Sequence, residues 1–428
     1  MSARRIVTLP PALHAADAEA HARKAKASGA ELVELRTDLH GDDMPVEVLA
    51  GLVPLLCSER GRPLPPRWLA HASLVDFAHD APVAAGLIDD ERLLLSCHTE
   101  APLSSSQALR LWESSQLTQR CRHIKHVEPL GAPGDFSRLL ETRARLRERF
   151  ATAQVTVLAM GHEALPFRAV LAEGNALDYL ALDECFQAAP GQRLLADAVR
   201  TARAVEVLGN AAANHLRLGI LGHQIAGSRS PRIHPQPFDR IELREDAPIA
   251  ALLSALRPHY RGFAVTSPFK QAAARAVSSP EAAVNTLVRT AAGYDGHNTD
   301  VDGARAVLER LQAAVVTVLG NGGATVAIRA AAAALGMSVQ VVSRTQAAET
   351  TFAPSAPVIW TWPSHVDPPS TLALSGAPVA VIAYAQRAQE IAALIRRHGG
   401  TPVFLGPRWF IAQARAQRRL WETACETA

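Results

Sequence analysis

Four side chains in this sequence have the types and positions from which carbonyl chemistry is built: Lys125, His98, Lys270 and Asp300. Lys125 follows His123 and Ile124 inside an apolar, strand-like run, where a charged amine must lose its water. Desolvation and nearby cations favour the neutral amine, and a neutral amine can condense with a ketone to give an imine. His98 ends an earlier strand-like run and is the residue type that moves the protons of an elimination. Lys270 and Asp300 follow two further such runs. A carboxylate beside a lysine holds it charged, ready to donate to a carbonyl oxygen as that oxygen becomes an alkoxide. Each also has an ordinary reading: a surface lysine, a hydrogen-bonded histidine, solvated loop charges.

A different pattern concerns phosphate. The run Val315, Val316, Val318, Leu319 breaks into Gly320-Asn321-Gly322-Gly323, and an alanine-rich helical stretch starts at Ala324. Strand, tight glycine turn and helix N-terminus bring backbone N–H groups and the helix dipole together where a pyrophosphate would sit. The next strand, 338–342, ends in Ser343-Arg344-Thr345. An NAD-binding fold usually carries an acid there for the ribose hydroxyl; an arginine flanked by two hydroxyls suits the 2′-phosphate of NADP. Ser228 and Ser230, after a strand at 216–221, form a pair of hydroxyls that can meet one carboxylate near a helix start, or simply cap a turn.

These groups need elements to position them. From residue 5 to about residue 182, strand-like runs at 6–9, 32–36, 55–57, 74–77, 93–97, 123–127, 155–159 and 179–182 alternate with amphipathic stretches such as 104–119 and 135–150. Eight strand–helix repeats predict a (β/α)8 barrel, whose chemistry lies at the C-terminal strand ends. Glu34, Arg36, Asp38, His98, Lys125 and Arg168 all fall at or just beyond such ends. The alanine-rich stretch 193–215 closes the barrel and leads, with no long flexible linker, into a second α/β region containing strands at 262–265 and 283–287 and the glycine turn.

The whole chain sets limits on the rest. Its 428 residues suffice for two or three domains, and 48% hydrophobic with 20% charged residues is ordinary for a soluble protein. A net charge of +3 without a lysine-rich stripe argues against nucleic acid as a partner. Five scattered cysteines with no C-x-x-C pair read as reduced thiols of a cytoplasmic protein. No apolar run of about 18 residues is present, and MSARRIVTLP enters a strand-like run directly, so neither a membrane span nor a signal peptide is expected. No His/Cys/Asp cluster has metal-ligand spacing, so no metal is expected.

With these residues in place, the N-terminal half resembles type I 3-dehydroquinate dehydratases. The likeness rests on ELRTD at 34–38, SCH at 96–98, Ile124-Lys125, Met160-Gly161, Arg168 and APGQ at 189–192. It implies a Schiff-base lysine at Lys125, a general acid/base at His98, and substrate binding by Glu34, Arg36, Arg168 and Gln192. The C-terminal half resembles shikimate dehydrogenase through S-R-S-P-x-I-H at 228–234, V-T-x-P-x-K at 265–270, A-V-N-T-L at 283–287, N-T-D at 298–300, G-x-G-G-A at 320–324, S-R-T at 343–345 and the closing Gly406…Gln413 segment. That likeness implies Lys270 and Asp300 as the catalytic pair, with Ser228, Ser230, Thr266, Asn285, Gln413 and Tyr384 at the substrate. It also implies Gly320, Asn321, Gly322, Gly323, Ala324, Ser343, Arg344, Thr345 and Gly406 at the NADP site. The implied layout is a barrel over 1–208, a substrate-binding domain over 215–305 completed by 408–428, and a Rossmann domain over 306–407.

The implied activity is bifunctional: dehydration of 3-dehydroquinate to 3-dehydroshikimate, then NADPH-dependent reduction to shikimate. Both halves depart from their patterns. A short, proline-rich Ser58-Glu59-Arg60-Gly61-Arg62-Pro63-Leu64-Pro65-Pro66 replaces the dehydratases' Arg…Glu-Gly-Gly loop, Tyr384 runs on into Ala385-Gln386-Arg387, and Trp409 stands at a methionine position near the nicotinamide. The alternative is a shikimate or quinate dehydrogenase carrying a weak or non-catalytic barrel with a structural or regulatory role.

Overall fold

The computed structural model describes the chain except residues 1–2, 12, 84–85, 190–191, 210–216, 364 and 427–428 and the side chains of 162 and 424–426. It divides into two compact units, Met1–Arg261 and Gly262–Ala428. The division falls inside the 215–305 segment rather than at the end of the barrel.

The first unit is built on eight parallel strands: β1 (Arg4–Thr8), β2 (Leu32–Arg36), β3 (Leu55–Ser58), β4 (Leu74–Ala78), β5 (Leu93–His98), β6 (His123–Pro129), β7 (Gln154–Met160) and β8 (Leu177–Leu180). Their order is β7-β6-β5-β4-β3-β2-β1-β8. Among the described residues the helices of the barrel are α1 (Ala15–Ala27), α2 (Val46–Leu52), α3 (Pro66–His71), α4 (Ser105–Ser114), α5 (Phe136–Arg149), α6 (Arg168–Gly174) and α7 (Leu195–Leu208). Between β7 and β8 the ring is stitched rather than laddered. Ala176 N–H donates to the Val155 carbonyl at 3.1 Å. The Asn175 side chain accepts from Val157 N–H at 3.0 Å and donates to the Val157 carbonyl at 2.9 Å.

Side chains alternate across a strand, so Leu32, Glu34 and Arg36 share one face, as do Leu94, Ser96 and His98. The lower positions form an apolar plug of Ile6, Leu32, Leu56, Leu74, Leu94, Leu177 and Tyr179. The next inward positions along the strands are Thr8, Glu34, Ser58, Asp76, Ser96 and Lys125, all buried. The floor of the mouth is therefore polar because the period-2 pattern changes from leucine to polar residues at one level.

The same unit continues into a parallel pair, β9 (Leu218–Gly222) with β10 (Phe238–Glu242), and the helices α8 (Ser230–Ile233) and α9 (Ile249–Leu256). The expected strand at 216–221 begins at a residue outside the described set.

The second unit holds an antiparallel ladder of β11 (Gly262–Val265), β12 (Thr286–Arg289) and β13 (Tyr294–His297), with α10 (Lys270–Ala276) between the first two strands. After α11 (Asp300–Leu311) come β14 (Val315–Leu319), α12 (Gly323–Ala334), β15 (Ser338–Val342), α13 (Arg344–Ala347), β16 (Val358–Trp360), β17 (Pro378–Val381), α14 (Gln386–Arg397), β18 (Thr401–Phe404) and α15 (Gly406–Glu426). Strands β14–β18 form a parallel sheet in the order β15-β14-β16-β17-β18. This doubly wound sheet reverses direction between β14 and β16, and such folds bind ligands outside the carboxyl ends of the strands at that switch point.

Candidate active sites

The barrel mouth holds a cavity of about 460 Å³ lined by Glu34, Arg36, His98, Lys125, Arg168 and Gln192, the residues that the dehydratase likeness implies, together with Arg60, Ser96 and Tyr179. Lys125 is 5% exposed, with its Nζ 3.3 Å from Asp76 Oδ2 and 4.2 Å from the centre of the Tyr179 ring. Burial pulls the Lys125 ammonium below its ordinary range; Asp76 opposes this and Arg60 reinforces it. Asp76 is fully buried on β4, and burial by itself would raise its carboxyl. The Arg60 guanidinium, 2.8 Å from Asp76 Oδ2, and Lys125 outweigh burial and hold that carboxyl below the usual range.

His98 stands exposed at the rim. Enclosure in the mouth, then the charges of Lys125 and Arg60, push its imidazole down to about 3, so it is a neutral base at physiological pH. Glu34 is held by Thr8 Oγ1 at 2.5 Å and Ser58 Oγ at 2.7 Å, fixing its carboxylate between β1 and β3. Arg36 is forked onto Asp38 at 3.0 and 2.6 Å. Burial lowers the Arg168 guanidinium against the pull of Asp178. Gln192 accepts from Ala188 N–H at 2.8 Å; Pro190 and Gly191 of the APGQ motif lie outside the described residues.

Arg60 is the residue that the sequence left without a role. The shortened loop is pinned to Thr37, whose hydroxyl donates to the carbonyls of Arg60 and Arg62 at 3.0 and 2.8 Å. This turns the Arg60 side chain inward onto Asp76 and Ser96 Oγ, the latter at 3.1 Å. Asp76 was also missed, although a lone acid within Leu-Val-Asp-Phe-Ala carried the same signal as Lys125. Burial pushes the thiols of Cys57 and Cys121 up to about 12 and that of Cys97 to about 11, so these cysteines are unreactive.

In the second unit Lys270 opens α10 and Asp300 opens α11, and the Lys270 Nζ is ion-paired with Asp300 Oδ2. Asn285, just before β12, is 1% exposed. Its Oδ1 accepts from Thr299 N–H at 2.8 Å, Thr299 Oγ1 at 3.0 Å and Thr286 Oγ1 at 2.9 Å. These bonds fix the amide and leave its buried Nδ2 with no hydrogen-bond partner, a donor set for a ligand oxygen. Thr266 is half-buried at the end of β11. Gln413 is half-buried on α15; one turn later Gln417, which sequence reasoning did not single out, is buried and donates to the Asn285 carbonyl at 3.2 Å. Ser228 and Ser230 lie in the first unit, where Ser230 N–H donates to Ser228 Oγ at 3.3 Å.

The nucleotide pattern folds as expected. Gly320 ends β14 at φ +121°, and a Cβ there would come within 2.4 Å of Thr361 Oγ1 and 2.9 Å of the Trp362 ring. The N-terminus of α12 follows at Gly323. Ser343 caps α13 through Gln346, leaving Arg344 and Thr345 exposed beside it. The cradle at Gly320, the helix N-terminus and the exposed arginine together fit a dinucleotide with a 2′-phosphate. Gly406 is required by contact, since a Cβ would meet the Ala383 carbonyl at 1.9 Å. Tyr384 is half-buried against Phe410, with ring centres 5.4 Å apart. Trp409, at the position expected near the nicotinamide, packs on Gly303 of α11.

Among the described residues no group of three His, Cys, Asp or Glu could hold a metal, and no helix is long and apolar enough to cross a membrane. No protein-family model matches the chain. The shikimate dehydrogenase (NADP(+)) of Halobacterium salinarum is 35% identical over 148 residues, 30% of this chain and 56% of that protein. The corresponding Thermus thermophilus protein is 36% identical over 150 residues, with the same shares covered. The chain thus spans a little over half the length of the curated relatives it matches. The solved dehydroquinate dehydratase and shikimate dehydrogenase from S. pombe AroM aligns over 98% of this chain and 96% of that one, at 17% identity and a TM-score of 0.38.

Proposed function

We propose that the chain is a bifunctional enzyme that dehydrates 3-dehydroquinate in the barrel and reduces 3-dehydroshikimate to shikimate with NADPH in the C-terminal region. The observation that carries the reading is the barrel mouth: one cavity gathers a buried lysine, a neutral histidine, a fixed carboxylate and three cationic side chains. The Lys270–Asp300 pair and the sequence likeness to shikimate dehydrogenases support the second activity. The layout adopted is a barrel over 1–208, a substrate-binding domain over 215–305 with 408–428, and an NADP-binding domain over 306–407, in a cytoplasmic protein.

In the barrel, the neutral Lys125 amine attacks the ketone carbon, and loss of water forms the imine. His98 removes a proton from the carbon next to the protonated imine, giving an enamine; it then returns that proton to the neighbouring hydroxyl, which leaves as water while the enamine electron pair forms the new C=C bond and restores the protonated imine. Hydrolysis of the imine releases 3-dehydroshikimate and restores the amine. Arg36, Arg60 and Arg168 offer charge to the substrate carboxylate and hydroxyls, and Glu34 and Gln192 bind the hydroxyls. In the second reaction Ser228, Ser230, Thr266, Asn285, Gln413 and Tyr384 hold the substrate. Gly320–Gly323 and Ala324 hold the pyrophosphate, Ser343, Arg344 and Thr345 the 2′-phosphate, and Gly406 closes the site. NADPH, when bound, supplies a hydride to the ketone carbon. Lys270, aimed by Asp300, gives its proton to the ketone oxygen.

The test is to add 3-dehydroquinate and NADPH to the purified chain and follow nucleotide oxidation and shikimate formation, beside Lys125→Ala and Lys270→Ala. Shikimate formed by the wild type and lost in each variant is expected. Reduction of added 3-dehydroshikimate alone would remove the dehydratase from the proposal; no turnover of either compound would refute both activities.

A further inference from the structure

We infer that Arg240 is a positioning residue through which the closing helix of the barrel shapes the Ser228–Ser230 turn; the inference rests on the dehydrogenase reading above. Arg240 lies on β10 with its side chain 12% exposed. Its Nη1 contacts both oxygens of Asp197, the Oδ2 at 2.5 Å, and its Nη2 donates to the Ser228 carbonyl at 2.8 Å. Asp197 is 5% exposed in the first turn of α7, the helix that follows Gln192 and closes the barrel. One planar guanidinium therefore joins a barrel carboxylate to the backbone of the turn proposed to bind the shikimate carboxylate.

The surroundings make this link stiff. Beside Arg240, Asp239 accepts from Arg217 Nε at 2.5 Å and from the Tyr260 hydroxyl at 3.0 Å. Arg193, next to Gln192, lies 3.6 Å from Asp178 on β8 and 3.7 Å from Asp239. Two successive residues of β10 are thus anchored to the chain that leads from the barrel mouth into α7. The turn itself is closed by Ser228 N–H donating to the Ile225 carbonyl at 2.8 Å. The Nη2 bond holds the backbone that carries the Ser228 hydroxyl, and in a buried setting water does not replace a lost guanidinium bond at equal strength. A lysine at 240 would supply charge without the fork that reaches both partners.

A consequence unusual for a fused protein follows: a substitution in the barrel should weaken the dehydrogenase's grip on its acid substrate. Shikimate oxidation by NADP+ is measured on the full chain for wild type, Asp197→Asn, Arg240→Lys and Arg240→Ala. Arg200→Ala is the control, because Arg200 also pairs with Asp197 while, among the described residues, no hydrogen bond or ion pair joins it to the turn. The expected result is a shikimate KM raised roughly tenfold in Asp197→Asn and Arg240→Lys, from displacement of a binding group by a fraction of an ångström. The kcat and the NADP+ KM stay within about twofold, and Arg200→Ala behaves as wild type. Hydrogen exchange of the amides at 225–233 rises in Asp197→Asn and not in Arg200→Ala, a readout that needs no turnover. An unchanged shikimate KM in the folded variants, or an equal rise in Arg200→Ala, overturns the inference. Wild type that oxidises no shikimate defeats the dehydrogenase reading, and the exchange data then decide separately whether the turn depends on Asp197. Should Arg240→Ala fail to fold, the two conservative variants carry the test.

Discussion

Asp76→Asn removes the carboxylate that is ion-paired with both Lys125 and Arg60 while keeping size and a hydrogen-bonding oxygen. At 3.3 Å, the attraction of unit charges on Lys125 and Asp76 is about 5 kcal/mol at an effective dielectric constant of ~20. That is an upper bound, because Asp76 is shared with Arg60 and the mouth can relax. Without Asp76 the ammonium keeps its desolvation cost and its repulsion from Arg60, so the Lys125 pKa falls further. The expected result is a downward move of about one to three pH units in the midpoint of imine formation. It is measured as borohydride trapping with 3-dehydroquinate, followed by mass spectrometry of the Lys125 peptide. Loss of the carboxylate also leaves the Arg60 guanidinium without its buried ion-pair partner, which destabilises the barrel by about 3–5 kcal/mol, so the fold is checked by circular dichroism in the same buffers. Labelling of Lys125 by acetic anhydride across the same pH range gives the midpoint without substrate. A midpoint that stays put or rises in a folded variant would show that Asp76 does not set the charge of Lys125.

Three further outcomes follow from the geometry. Lys270→Ala should lower shikimate turnover by about 10²–10⁴-fold while NADP+ binding, read by thermal shift, is retained; loss of both would mean that Lys270 supports the fold instead. Gly320→Ala should cost on the order of 1–3 kcal/mol through its left-handed backbone and abolish the NADPH-induced thermal shift, since the new Cβ meets Thr361 Oγ1. The His123 imidazole, buried in β6, is pushed down to about 4 by burial first and then by Arg4 and Arg122. Between that value and the ordinary 6.5 the unfolded chain binds the extra proton, so the first unit should be fully stabilised above about pH 6.5 and lose on the order of 3 kcal/mol as pH falls to 4. Urea melts of wild type and His123→Gln, with a flatter profile in the variant, check this.

The sequence by itself carried the eight barrel strands and the strand–glycine–helix turn at Gly320, whose signals are local: a hydrophobic period, and glycines between a strand and a helix start. The Rossmann sheet as a whole and the pairing of Lys270 with Asp300 entered through the likeness to shikimate dehydrogenases. The sequence also supplied Lys125, because an amine inside an apolar run is legible without any neighbour.

What only the tertiary structure decided are the partners of these groups. Asp76 sits 49 residues before Lys125 and meets it across β5, a closeness fixed by strand register. The role of Arg60 depends on which way a nine-residue loop turns, and that is set by the Thr37 hydroxyl from the turn after β2. The seat of Trp409 is likewise decided by packing: the glycine at 303 leaves room in α11 for the indole. Arg240 reads in the sequence as one more charge on a strand; its meaning lies in Asp197 and Ser228, which chain folding alone brings to its two edges. Periodicity fixes which face a residue occupies, and only closure of the fold fixes what stands opposite.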